Sequence, residues 1–147
     1  MNRAYLAGYF DGEGCIQYNK VHYKWYYLRC DIGGCYKPTI RDIYQEFGGS
    51  LCIKKMKIKN ERWHDQLFWR ISNREALSFL KEIYPYLREK KSQAEYCFKN
   101  GWRVWESYHL KNLSKLKQDK GNDGGNYQNL ERTKQLDLII FEDSERI

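Results

Sequence analysis

The sequence predicts an α+β domain in which one four-stranded, mainly antiparallel sheet is covered by helices on one face. Three observations carry that prediction. Leu28, Cys30 and Ile32 alternate with Tyr27, Arg29 and Asp31, the period of a strand with one buried face. Apolar residues recur at three- and four-residue steps from Ile40 to Phe47 and from Ala76 to Leu87, the period of helices with one buried stripe. The two patterns follow one another as helix, two strands, helix, two strands, helices, an αββαββα core.

Taken in order, Asn2–Phe10 reads as a short helix that Gly12 and Gly14 make costly to continue. A turn near Lys20 to Lys24 pairs Cys15–Asn19 with Trp25–Ile32 as a hairpin. Pro38 opens a second helix, where a first-turn proline is tolerated, and Gly48-Gly49 closes it. A second hairpin joins Leu51–Lys59 to Gln66–Ser72 through Asn60–Asp65. Ser72 or Asn73 caps a third helix, which Pro85 kinks or breaks. A fourth helix runs from Ser92 toward Lys117. Gly121–Asn126 is linker-like, so the domain is expected over residues 1–120. Residues 121–147 form a tail, with Leu136, Leu138, Ile139 and Ile140 predicting a short helix on the same domain.

The length of 147 residues suits one domain, and 41% hydrophobic residues argue against global disorder. A net charge of +7 favours a polyanionic partner, because Lys and Arg neutralise phosphates and release counterions. The five cysteines are odd in number and contain no Cys-x-x-Cys pair, which argues against a disulfide framework and a structural zinc site. His22, His64 and His109 share no spacing and read as bland. Met1–Gly14 holds Arg3, Asp11 and Glu13 and no long apolar run, so an intracellular protein without a membrane partner is expected.

On the first helix, Ala4, Ala7, Gly8 and Asp11 share one face, and Leu6 and Phe10 share another suited to the core. The small face admits either a second helix backbone or tight packing within the domain. Glu13 falls just past the helix end, where the macrodipole disfavours a carboxylate by about 0.3–1 kcal/mol. Either it is a solvated turn residue, or it holds a divalent cation that reverses the local electrostatics.

The segment Leu6-Ala7-Gly8-Tyr9-Phe10-Asp11-Gly12-Glu13-Gly14 closely resembles the motif of the LAGLIDADG homing endonucleases, in the variant with Glu at the eighth position. The similarity extends more weakly over roughly Asn2–Gln93 and fades after about Gly101. The resemblance implies a saddle-like sheet and makes Glu13 the catalytic, metal-binding acid, assisted by a main-chain carbonyl near Gly12. Mg²⁺ is the implied cofactor, with Mn²⁺ able to substitute. Motif helices of two domains pack together in that family, which assigns Ala4, Ala7, Gly8 and Asp11 to a dimer seam. A single motif then implies a homodimer reading a roughly palindromic site. Pro85–Ala94 resembles the family segment with a basic catalytic residue, here Lys90 or, with a slip of one, Lys91. Where the family often has a water-ordering Asn or Gln after the second strand, this chain has Gly34, which leaves that role unassigned.

Recognition belongs to the sheet in this reading, since a β-ribbon enters the major groove. Its outward faces carry Gln17, Asn19, Tyr27, Arg29, Asp31 and Arg70. Arg29 or Arg70 suits guanine, and Gln17 or Asn19 suits adenine. Lys54, Lys55 and Lys57 lie on a third strand of ambiguous register, where phosphate contact and a solvated basic edge are both open. The expected protein is a site-specific, Mg²⁺-dependent double-strand DNA homing endonuclease, cutting one phosphodiester per strand and encoded within a mobile intron or intein-like element. The alternatives are an intron RNA maturase and a non-catalytic DNA-binding regulator. The acid at position 13 discriminates, because a pure binder has no need of it.

Overall fold

A computed structural model describes residues 1–22, 24–34, 36–55 and 65–118. The chain divides into Met1–Lys117 and Gln118–Ile147, and the first unit is the one described. The boundary expected after residue 120 and the expected tail helix lie outside the described residues.

The order is α1 (Arg3–Glu13), β1 (Gly14–Val21), β2 (Trp25–Gly34), α2 (Lys37–Phe47), β3 (Ser50–Lys54) and β4 (Gln66–Ser72), as predicted. Then come α3 (Asn73–Ile83), a 3-10 turn (Tyr84–Tyr86), α4 (Lys91–Asn100), β5 (Arg103–Val104) and α5 (Tyr108–Gln118). The sheet runs β1-β2-β4-β3, with β5 added against β2, and every pairing is antiparallel. Alternation sends Ile16, Tyr18, Leu28, Cys30, Ile32, Leu67, Trp69 and Ile71 to the buried face. Helices meet that face through Phe79, whose ring stands edge-on to Phe10, Phe47 and Trp69 with centroids 4.9–5.3 Å apart. Each such side chain buried contributes roughly 1.5–3 kcal/mol. Pro85 ends α3 as predicted, by replacing the next helical turn with a 3-10 turn.

The predicted fourth helix is corrected. It breaks at Gly101, whose φ of 83° lies in the left-handed region and whose N–H closes on the Cys97 carbonyl. The chain then fills an edge that β4 leaves open. The last β4 residue, Ser72, stands opposite Arg29, whereas Arg103 and Val104 pair with Tyr27 and Tyr26. The Leu28 N–H bonds the Trp102 carbonyl at 2.7 Å and seals the junction. A backbone row of β2 that would otherwise be unpaired is thereby satisfied.

Cys15, Cys30, Cys52 and Cys97 are free thiols. Burial pushes the Cys97 thiol up to about 12 and holds Cys30 well above its ordinary range, so neither is a nucleophile. Among the described residues, no helix is long and apolar enough to cross a membrane.

Candidate active site and nucleic-acid interface

Helix α1 continues through Gly12 to Glu13, past the expected stop at Phe10. The extension is held from outside the helix. Asp11 accepts from the backbone N–H of Arg88 at 2.8 Å and of Lys90 at 2.9 Å, and the Lys90 ammonium donates to the Asp11 carbonyl. Three bonds to a segment 77 to 79 residues away offset the helical cost of Gly12. Gly14 then turns the chain into β1. A Cβ there would lie 2.2 Å from the Phe10 ring and 2.6 Å from the Phe10 carbonyl, so only glycine fits.

Glu13 therefore occupies the last helical turn rather than a position beyond it, and its side chain is exposed. Lys90, although charged, is only 8% exposed. Its ammonium sits on a C-terminal carbonyl of α1 and 5.9 Å from the Phe10 ring centroid, a favourable place for a cation at a helix end. Lys91 points elsewhere, with its ammonium over Tyr84 at 5.0 Å. Of the two candidate lysines, Lys90 is the one that reaches the end of α1.

The donors here are hard oxygens, as a divalent cation requires. Glu13 supplies a carboxylate, and the carbonyl of Gly12 lies in a last turn, where the carbonyls have no intrahelical partner. Both Asp11 carboxylate oxygens are already engaged. Among the described residues, no three His, Cys, Asp or Glu side chains converge on one metal position. The set fits a cation shared with other ligand sources and does not form a closed cage.

The face assigned to a dimer seam is corrected in part. Ala7 is wholly buried by its own chain, and the Asp11 carboxylate is turned inward onto residues 88 and 90. Both lie round the helix toward Leu6 and Phe10, because a three-residue step falls short of a full turn. The exposed small residues are Ala4, Gly8 and Gly12, four apart, and a Cβ on either glycine would meet nothing within 4 Å. Pro85 and Arg88 flank this strip. At Gly34, a Cβ would stand 2.9 Å from the Tyr9 hydroxyl of α1, so no side chain occupies the place expected for water ordering.

On the outward sheet face the structure brings together residues that the sequence only placed on separate strands. Asp31 is the hub. It accepts from Gln17 Nε2 at 2.6 Å, Arg29 Nε at 3.0 Å and Arg70 Nε at 2.8 Å. Asn19, with its amide oxygen turned toward Arg29, accepts from Nε and Nη1 at 2.9 and 2.6 Å. Register explains the cluster, since Gln17 stands opposite Arg29 and Asp31 opposite Arg70. Tyr27, half-buried, stands between Asn19 on β1 and Arg103 on β5. Lys54 and Lys55 are exposed at the far end of β3, and Lys57 lies outside the described residues.

Arg103 went unnoticed in the sequence. Its guanidinium lies 5.2–5.6 Å from the ring centroids of Trp25, Trp102 and Trp105. The signal was a four-residue alternation, Trp102-Arg103-Val104-Trp105, with Val104 buried between exposed neighbours. His109 is buried and bonded to the Tyr96 hydroxyl at 2.7 Å, a packing role that suits its bland reading.

The fold has known counterparts. The homing endonuclease I-CvuI, solved in complex with its target in the presence of Ca, is 19% identical with a TM-score of 0.52, covering 91% of this chain and 93% of that one. The archaeal intron-encoded homing endonuclease I-Vdi141I, complexed with DNA, is 18% identical with a TM-score of 0.51, covering 92% and 96%. No curated protein matches the chain. The model of the LAGLIDADG-like domain matches residues 1–84, more than half of the 147, and spans α1, both hairpins and α3. By that match the chain belongs to the LAGLIDADG-like domain family.

Proposed function

We propose that this protein is a site-specific double-strand DNA endonuclease, acting as a homodimer with Mg²⁺ on a roughly palindromic target. The observation that carries the reading is the exposed Glu13 carboxylate on a helix end pinned by bonds from the backbone N–H groups of residues 88 and 90 to Asp11. A solvated turn glutamate would need no such clamp. The similarity to I-CvuI and I-Vdi141I, each solved with DNA, supports a DNA partner, and the charge of +7 supports it independently.

Cleavage adds a water oxygen to phosphorus and breaks the bond to the 3′ oxygen, which leaves with a proton. Glu13 and the Gly12 carbonyl would hold the cation, the remaining ligands coming from phosphate oxygens, water and the second copy. When bound, such an ion lowers the pKa of attacking water and neutralises charge on the phosphoryl oxygens. Lys90 holds fixed positive charge at the same helix end, without a solvation shell to reorganise. Asp11 orients that end and is fully engaged in doing so. The strip of Ala4, Gly8 and Gly12 lets the α1 helices of two copies approach closely and brings two Glu13 side chains to the twofold axis.

The test is Glu13→Gln, assayed for binding and cutting of a selected target. Binding retained with cutting abolished is the expected result. Cutting at the wild-type rate would remove Glu13 from the chemistry.

A further inference from the structure

Among the described residues, the outward face of β1, β2 and β4 holds two arginines, Arg29 and Arg70, and they are not equivalent. Arg29 is committed within the chain: its Nε serves Asp31 and Asn19, and its Nη1 serves Asn19. Gln17 has given its amide nitrogen to Asp31, so it cannot pair with adenine through both amide atoms without breaking that bond. Asp31, an anion with three donors on its two oxygens, is a poor match for a phosphate or for the acceptor-rich edge of guanine. Arg70 differs. Only its Nε is engaged, both terminal nitrogens have no hydrogen-bond partner among the described residues, and the side chain is 43% exposed.

We propose that Arg70 is the guanine-reading residue of the β1-β2-β4 face and that Asp31 is its positioning residue. This rests on the DNA-endonuclease reading above. Recognition of guanine needs two parallel donors aimed at O6 and N7. Asp31 occupies the Nε side of the guanidinium and leaves the pair of terminal nitrogens to do this end-on. It also blocks the rotation that would otherwise spread Arg70 over several poses, so less side-chain freedom is lost on binding. Gln17 and Arg29 hold the carboxylate from the other side, which makes Asp31 a fixed post.

The register places this reader. The Asp31–Arg70 row aligns with Cys15 on β1, two residues after Glu13. The Gln17–Arg29 row lies two residues further along, about 7 Å or roughly two base pairs outward. The guanine is therefore expected at the inner edge of each half-site, close to the scissile bond.

Duplexes bound by the full-length protein in Ca²⁺ are selected from a random library, in parallel for wild type, Asp31→Asn and Arg70→Lys. Wild type is expected to enrich a site with one strong guanine column per half. Arg70→Lys keeps the charge but loses the planar pair of donors, and lowers that guanine preference about tenfold. Asp31→Asn lowers the same column, while affinity for a scrambled duplex rises because a negative charge has gone. Were Asp31 merely structural, its variant would lose thermal stability and affinity for all sequences together, with the column intact; that result overturns the proposal. So does an unchanged column in Arg70→Lys, a variant at an exposed position that does not threaten folding, and in that case the enriched site leaves the endonuclease reading standing. A wild-type protein that enriches no sequence overturns that reading instead, and this inference with it.

Discussion

The two ends of α1 are held by different physics. At its start, the N-terminal ammonium and Arg3 pair with Glu46 at 2.8 and 2.6 Å, and Arg3 also reaches Glu82 at 2.8 Å. These groups face solvent, where water and salt screen most of the attraction. At its finish, Asp11 is 9% exposed and binds two backbone N–H groups of one segment, and Lys90 returns a bond to the Asp11 carbonyl. Low local dielectric strengthens these bonds and makes their loss expensive. The helix is thus loosely tethered at its start and firmly clamped where Glu13 emerges. In the proposed reading, a carboxylate that holds an ion in one place needs a rigid base more than it needs partners of its own.

Substitutions at the two ends test that contrast. The largest effect is expected for Glu13→Gln, which should reduce cleavage by about three orders of magnitude, in line with the loss of several kcal/mol of metal-assisted stabilisation, while target affinity holds. Lys90→Met comes next. Its stem packing is kept and its charge is lost, so single-turnover cleavage should fall about 100-fold with little change in binding. Asp11→Asn removes one acceptor and turns an amide N–H toward the backbone donors. It should lower unfolding stability by roughly 2 kcal/mol in denaturant titrations and slow cleavage along with it.

The smallest effect belongs to the exposed end and shows in acid. Bonds from the N-terminal ammonium and then Arg3 lower the Glu46 pKa below its ordinary value. A depressed folded-state pKa contributes stability above the unfolded value, and that contribution is lost as pH falls through the folded one. Thermal melts of Glu46→Gln should therefore run slightly below wild type at neutral pH and converge with it in acid, and added salt should narrow the gap. Equal losses for Glu46→Gln and Asp11→Asn at neutral pH would erase the distinction between the two ends.

Much of this organisation was legible in the residues. The alternation of Leu28, Cys30 and Ile32 placed Arg29 and Asp31 on the outward face, and Pro85 marked the end of α3 where the chain does break. Glu13 was legible as an anomaly, because the macrodipole disfavours a carboxylate at a helix C-terminus. The exposed strip on α1 was legible only in part: Ala4 and Gly8 are exposed, but Ala7 faces the core. Small residues carry too little hydrophobic signal to say which side of a helix they fall on. Likewise the helix expected from Ser92 toward Lys117 runs across Gly101, whose left-handed φ goes with β5 docking against β2.

What the sequence determined alone is whatever rests on local sterics and periodicity: the order of helices and strands, the two faces of the sheet, and the carboxylate at the end of α1. The tertiary structure decided which groups meet. Nothing in Asp11, Arg88 and Lys90, or in Gln17, Asp31 and Arg70, announces a shared bond, because the partners come from separate elements and a hydrogen bond forms only within about 3 Å. Strand register and the return of the chain past Pro85 bring them to that distance. The exposed acid is thus a local feature, and the clamp that holds it in place is a long-range one.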